Sequence, residues 1–209
     1  MTKNLLIAFE GLDFSGKSTI SKKLATEFAN NQNTNLNFYH EPGGTELSEK
    51  ISKILAENGR SMQKRTKTLL FEAARNELVH DIIIPKLETG SVILDRFIAS
   101  TIAYQHFGDG QSITRLTDLN QYVLDGLKIN ATFFFSISPE TMQARRATRQ
   151  NKIDELDNYK QDYYKKIGDN YLEAIRNTPN DKVIVIDANK SIDEVYAQVK
   201  LELQKLEVI

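Results

Sequence analysis

Gly11-Leu12-Asp13-Phe14-Ser15-Gly16-Lys17-Ser18 fits the pattern G-x-x-x-x-G-K-[ST], a glycine-rich loop that cradles phosphates. The glycines permit a tight turn whose backbone N–H groups face a β-phosphate. Lys17 can reach the β and γ oxygens, and the Ser18 hydroxyl can ligate Mg²⁺. The setting matches the pattern. Leu5 to Phe9 is a short apolar run suited to a strand, and after Thr19 the residues Ile20, Leu24 and Phe28 recur every four positions on one helical face. A glycine turn with an incidental lysine would rarely fall between a strand and a helix. The loop from Gly11 to Thr19 is therefore read as a binding site for a nucleoside triphosphate.

Working outward, β-compatible runs recur at residues 36–39, 91–94, 132–137 and 183–186, each separated by stretches of helical period. This alternation predicts an α/β fold, a five-stranded parallel sheet with helices on both faces in three layers. Helices are expected over residues 47–56, 66–78 and 80–87, and over 114–127 with an end near Gly126. Thr45 is expected to cap the helix at Leu47. A charged stretch over 141–157 begins as a helix after Ser138-Pro139-Glu140 and then loses its apolar face, which suits a solvated lid at about 143–157.

The chain has 209 residues, 40% of them apolar, enough for one domain spanning 1–209 with a sizeable core. With 27 basic and 28 acidic residues the net charge is −1, which supplies no general attraction to nucleic acid or to an anionic membrane. Cysteine is absent, which excludes disulfides, thiolate metal sites and cysteine nucleophiles, and accords with a cytoplasmic setting. His40, His80 and His106 lack metal-motif spacing. The apolar run near Met1 is too short for a signal-peptide core, and nothing approaches the length of a membrane span, so a soluble protein is expected.

The third strand ends in Val92-Ile93-Leu94-Asp95-Arg96-Phe97, placing an acid and a base at the carboxyl edge of the sheet. Asp95 can hold Mg²⁺ and Arg96 can grip a phosphate, although alone the pair reads more readily as a surface ion pair. Glu41-Pro42-Gly43-Gly44-Thr45 follows the second strand, Leu69-Leu70-Phe71-Glu72-Ala73-Ala74-Arg75 lies on a helix, and Ser100-Thr101-Ile102-Ala103-Tyr104-Gln105 follows Asp95-Arg96-Phe97. In order and content these motifs resemble the thymidylate kinase family of phosphate-loop nucleoside monophosphate kinases, over nearly the full chain.

The resemblance implies transfer of the γ-phosphoryl group of ATP to dTMP, with Mg²⁺, in a chain that forms a homodimer. Phe71 would stack on the thymine ring and Arg75, four residues on and on the same helix face, would contact the base. Read without the family, Phe71 would be ordinary core. Arg96 would bind the acceptor phosphate, Ser100, Thr101, Tyr104 and Gln105 would line the nucleoside pocket, and Glu41 and Pro42 would border the acceptor phosphate. Asp13 would face the acceptor. Ser18 and Asp95 would manage the metal. The phosphate loop carries no arginine, so the cation over the migrating group falls to the lid: Arg149 first, with Arg145 nearer the adenine or triphosphate and Arg146 possible as a solvated helix residue.

Several positions depart from the family pattern. Phe14 stands at a usual glycine, His40 replaces an arginine before Glu-Pro-Gly-Gly, and Ala74 replaces an aspartate. Ile129-Asn130 stands for Pro-Asp, and Asp154-Glu155-Leu156-Asp157 stands for Asp-Arg-Ile-Glu in the lid. These leave open a kinase of the same fold acting on another pyrimidine monophosphate or a deoxynucleoside, or a catalytically weak nucleotide-binding paralogue. A GTP-dependent switch is also suggested by Asn151-Lys152-Ile153-Asp154, but that motif should follow an apolar strand and does not.

Overall fold

The computed structural model describes residues 4–29, 35–59, 61–149 and 157–209. β1 (Leu6–Glu10) leads through the phosphate loop into α1 (Lys17–Phe28) and β2 (Leu36–His40). Next come α2 (Glu46–Asn58) and α3 (Lys64–Leu78), which runs through a π-helical turn (Val79–Ile83) into α4 (Ile84–Thr89). β3 (Ser91–Asp95) is followed by α5 (Ile98–Thr101), a second π-helical stretch (Ile102–Gly108) and α6 (Ile113–Leu124). β4 (Ala131–Ser136), α7 (Pro139–Arg149), α8 (Asp157–Arg176), β5 (Val183–Asp187) and α9 (Ile192–Lys205) complete the order.

The five strands form one parallel sheet in the order β2-β3-β1-β4-β5. β1 is central, and every residue of it is buried. Its alternation divides the core. Leu5, Ile7 and Phe9 pack with Ile20 and Leu24 of α1 and with Val195 and Val199 of α9. Leu6 and Ala8 face the other way, toward Leu78, Phe97, Ile98 and Leu124. Parallel strands need crossovers, and these helices place apolar side chains against both faces of the sheet, as the predicted three-layer architecture requires.

Local signals set the ends of the elements. Thr45 Oγ1 accepts from the N–H of Ser48 at 3.1 Å, the cap expected for α2. At α9 the Ser191 hydroxyl accepts from the N–H of Glu194 while Glu194 accepts from the N–H of Ser191, a reciprocal capping box. The α6 helix stops at Leu124, short of the expected end, because Asp125 already turns left-handed at φ 48° before Gly126. The strands at β1, β2, β3 and β5 each extend one residue past the apolar run, to Glu10, His40, Asp95 and Asp187. Parallel pairing carries polar residues into the carboxyl edge, and the apolar pattern could not mark them.

Candidate active site

The register of β1 on β3 sets Phe9 beside Asp95, so the loop after β1 and the turn after β3 meet at one edge of the sheet. Gly11 has φ 145°, and a Cβ there would stand 2.6 Å from the Phe135 carbonyl oxygen of β4, so the loop passes too close to the sheet for any side chain. Gly16 caps α1 at φ 94° without a side-chain cap, which leaves the first N–H groups of that helix turned toward the loop. Phe14 also takes a left-handed φ, 64°, a conformation that glycine adopts without strain.

Lys17 is buried and donates from Nζ to the carbonyl oxygens of Gly11 at 2.9 Å and Leu12 at 2.8 Å and to Ser15 Oγ at 3.2 Å. Burial, reinforced by the nearby Arg96 cation, lowers its ammonium to a pKa of about 7. Asp13, Phe14, Gly16, Lys17, Ser18 and Thr19 line a cavity of about 800 Å³, bounded on its far side by Arg145, Arg146 and Tyr164. Gly11, Leu12 and Ser15, expected with them around the donor, do not line it and instead hold the Lys17 ammonium. Arg145 reaches the loop itself, donating to the carbonyl oxygens of Phe14 at 3.3 Å and Ser15 at 3.4 Å, and to Lys190 O at 2.9 Å.

A second cavity, of about 270 Å³, is lined by Glu41, Pro42, Phe71, Arg75, Arg96, Ser100, Thr101, Tyr104 and Gln105 together with Asp13 and Lys67. It includes every residue selected from the sequence for an acceptor. Asp13 and Arg96 line both cavities. Arg96 takes φ 73°, bonds Asp13 through Nη2, and donates from Nη1 to Ser100 Oγ at 3.2 Å and Gly11 O at 3.4 Å. Its guanidinium lies 5.2 Å from the centre of the Tyr104 ring. Burial raises the Tyr104 phenol, which therefore stays neutral beside that cation.

At the other end of this cavity Arg75 is 3% exposed and sits in a buried polar cluster. Its Nε and Nη2 hold the Glu41 carboxylate at 2.7–3.0 Å, and Nη1 donates to Glu72 at 2.5 Å and to Thr101 and Asn120 at 3.0 Å. Burial pushes Glu41 up to about 7 even with this cation beside it. Burial works against the Arg75 charge too, but Glu41 and Glu72 overcome it and hold the guanidinium protonated.

Asp95 is 8% exposed, and its Oδ1 is buried without a hydrogen-bond partner. Asp95 and Ser18 line the same third cavity. An orphaned carboxylate oxygen in the same cavity as a serine hydroxyl suits a hard divalent cation, which prefers oxygen ligands. No cluster of three or more His, Cys, Asp or Glu with metal-binding geometry exists among the described residues. Such a cation would thus draw few ligands from the protein and the rest from phosphates and water, the pattern typical of Mg²⁺.

The thymidylate kinase family profile matches residues 9–199. The chain belongs to the thymidylate kinase family. It is 35% identical to the thymidylate kinase of Kosmotoga olearia over 199 residues, covering 95% of this chain and 94% of that one. It is 37% identical to the thymidylate kinase of Mycoplasma capricolum over 210 residues, covering 97% and 96%. The crystal structure of thymidylate kinase from Ehrlichia chaffeensis superposes with a TM-score of 0.73 at 30% identity, covering 96% of this chain and 98% of that one. The P-loop kinase fold expected from the sequence is thereby shared with a solved thymidylate kinase.

Two of the cavity residues of this thymidylate kinase framework also carry structural hydrogen bonds. Arg75, expected to face the base, spends most of its donors on Glu41, Glu72, Thr101 and Asn120. Ser100, expected in the pocket wall, uses its hydroxyl to bond Glu10 at 2.7 Å and Arg96. Sequence reading missed Glu10, whose carboxylate is fully buried and raised by that burial, and Tyr171, which bonds it from α8 at 2.8 Å. It also missed Lys67, one helical turn before Phe71 and on the same side of α3. That spacing was the available signal. The expected lid is described in part: residues 143–149 belong to α7, while 150–156, with Asn151-Lys152-Ile153-Asp154 and Glu155, lie outside the described residues, as does the side chain of Arg149.

Proposed function

We propose that the larger cavity at the phosphate loop takes ATP, that the smaller one takes dTMP, and that the γ-phosphoryl group passes between them across Asp13 and Arg96. The chain is an ATP-dependent nucleoside monophosphate kinase that makes dTDP and ADP. The observation carrying the assignment of roles is that one cavity collects every residue chosen for the acceptor and shares Asp13 and Arg96 with the loop cavity. Two substrates held there would meet phosphate to phosphate, which is the main requirement of this chemistry.

The backbone N–H groups of the loop and of the first turn of α1 would bind the donor phosphates, with Thr19 beside them. Negative phosphates beside Lys17 would offset the burial that lowers it and return it to the ammonium form. Arg145, already bonded to the loop carbonyls, would steady the donor side. Arg96 would hold the acceptor phosphate, Asp13 would keep that guanidinium aimed, and Phe71 would stack on the base against Tyr104 and Gln105. The cation over the transferring group is assigned to Arg149. Ser18 and Asp95 would hold Mg²⁺, which when bound would supply positive charge to offset the negative charge of the donor phosphates. The reaction needs no covalent enzyme intermediate.

Exposed apolar side chains at Leu47 and Ile54 of α2, Leu69 of α3 and Tyr122 of α6 support a homodimer that covers these helices. The lack of cysteine supports a cytoplasmic setting, and no helix among the described residues is long and apolar enough to cross a membrane. The decisive test is ADP release with ATP and a panel of nucleoside monophosphates, thymidine and no acceptor. Stimulation by dTMP well above dUMP, CMP and thymidine is expected, and a stronger response to any of these would displace dTMP as the acceptor.

A further inference from the structure

Glu10 closes β1 at the junction of the phosphate loop, α5 and α8, and no part of it reaches solvent. Its Oε1 accepts from the backbone N–H of Phe97 at 3.0 Å and of Ser100 at 3.2 Å. Its Oε2 accepts from the Ser100 hydroxyl at 2.7 Å and the Tyr171 hydroxyl at 2.8 Å. Four donors match the acceptor capacity of one ionised carboxylate. Glu10 and Tyr171 line neither cavity, and of the donors to Glu10 only Ser100 belongs to the acceptor cavity, where Arg96 also lies, so the cluster acts through the residues attached to it.

Attached to it is Arg96. The N–H of Arg96 donates to Phe9 O at 2.9 Å and the N–H of the next residue, Phe97, donates to Glu10, so two consecutive residues of β1 bracket Arg96 from both sides. Between these bonds Arg96 holds φ 73°, a left-handed backbone that a side-chain-bearing residue keeps only where its surroundings impose it. The side chain is tied in as well. Arg96 Nη1 donates to Ser100 Oγ, which in turn donates to Glu10 Oε2.

We propose that Glu10 is a positioning residue for the acceptor: it fixes both the strained turn and the Ser100 hydroxyl that aim Arg96 at the acceptor phosphate, with Tyr171 linking the arrangement to α8. The inference rests on the reading of Arg96 given above. Its physical content is preorganisation, since a guanidinium already oriented loses less freedom when the phosphate arrives.

The test is steady-state kinetics of the full-length enzyme, varying dTMP and ATP in turn, for Glu10→Gln, Tyr171→Phe, Arg96→Lys and the two double variants with Arg96→Lys. Glutamine keeps the size of Glu10 but sets an amide NH₂ among donors, breaking at least one bond. Glu10→Gln is expected to lower kcat/KM for dTMP about 10- to 100-fold and to leave the KM for ATP within about twofold. Tyr171→Phe, which removes one donor without adding a clash, is expected to act in the same direction by about 3- to 10-fold. In the Arg96→Lys background each is expected to add less than about twofold, because the effect runs through the missing guanidinium. If Glu10→Gln does not fold, Tyr171→Phe and its double variant make the same comparison. Equal losses for both substrates, or effects that multiply in the Arg96→Lys background, overturn the positioning role while leaving Arg96 as the phosphate ligand. Unchanged dTMP kinetics in Arg96→Lys alone overturns both readings.

Discussion

Replacing Arg75 by methionine removes the cation that two buried carboxylates share. Methionine fills much of the same volume, so the loss is mainly electrostatic. Arg75 binds Glu41 through Nε and Nη2 and reaches Glu72, Thr101 and Asn120 through Nη1, with its own side chain and both carboxylates almost wholly buried. Breaking a buried pair from one side costs about 3–5 kcal/mol, because the remaining charge has neither water nor partner. The pH dependence is more diagnostic than the size. Glu41 is pushed up from 4.5 to about 7 by burial while Arg75 is present. A carboxyl raised in the folded state binds more protons folded than unfolded, so its contribution to stability is full below pH 4.5 and is lost as pH rises through 7. Above pH 7 the wild-type loss levels off, because Glu41 is ionised in both states.

Without the guanidinium Glu41 titrates higher still, so the variant keeps losing about 1.4 kcal/mol per pH unit where the wild type has stopped. Integrated from pH 6.5 to 8.5, the deficit of Arg75→Met should widen by about 2 kcal/mol. Urea denaturation of both proteins at half-unit steps across that range measures it, with the m-values checked for equality. A deficit that stays flat or narrows as pH rises would refute the reasoning, since it would mean that Arg75 does not hold Glu41 ionised.

Phe71→Ala should raise the KM for dTMP about tenfold, the loss of one aromatic stack with its buried area, while the KM for ATP stays within about twofold; equal changes in both would remove Phe71 from the base site. Lys17→Ala should cut kcat by two or more orders of magnitude in a protein whose thermal unfolding remains cooperative, and near-wild-type turnover would exclude Lys17 from the phosphates. Gly11→Ala would set a Cβ 2.6 Å from the Phe135 carbonyl at φ 145°. The variant should lose at least about 1–3 kcal/mol by urea denaturation, and wild-type stability would show that the loop can move off β4.

The sequence determined the parts of this protein that depend on neighbours in the chain. A phosphate loop works through successive backbone N–H groups, so Gly11, Gly16, Lys17 and Ser18 declare it within eight residues. Apolar runs separated by helical periods foretold the parallel sheet, because buried strands and one-sided helices must repeat with fixed periods. The residues chosen for an acceptor came from the family motifs that contain them, and they line one cavity where the loops after β1, β2 and β3 lie side by side.

Tertiary structure alone decided how each polar group is used. Glu10 reads in sequence as the polar end of an apolar strand, yet it accepts four bonds from residues 87 to 161 positions away. Arg75 carries the right spacing to face a base, but its donors are largely claimed by Glu41, 34 residues earlier, and by Asn120, 45 later. Burial is the physical reason for both. A buried charge must find partners wherever the fold supplies them, and that choice depends on which strands and helices converge, which no local pattern records.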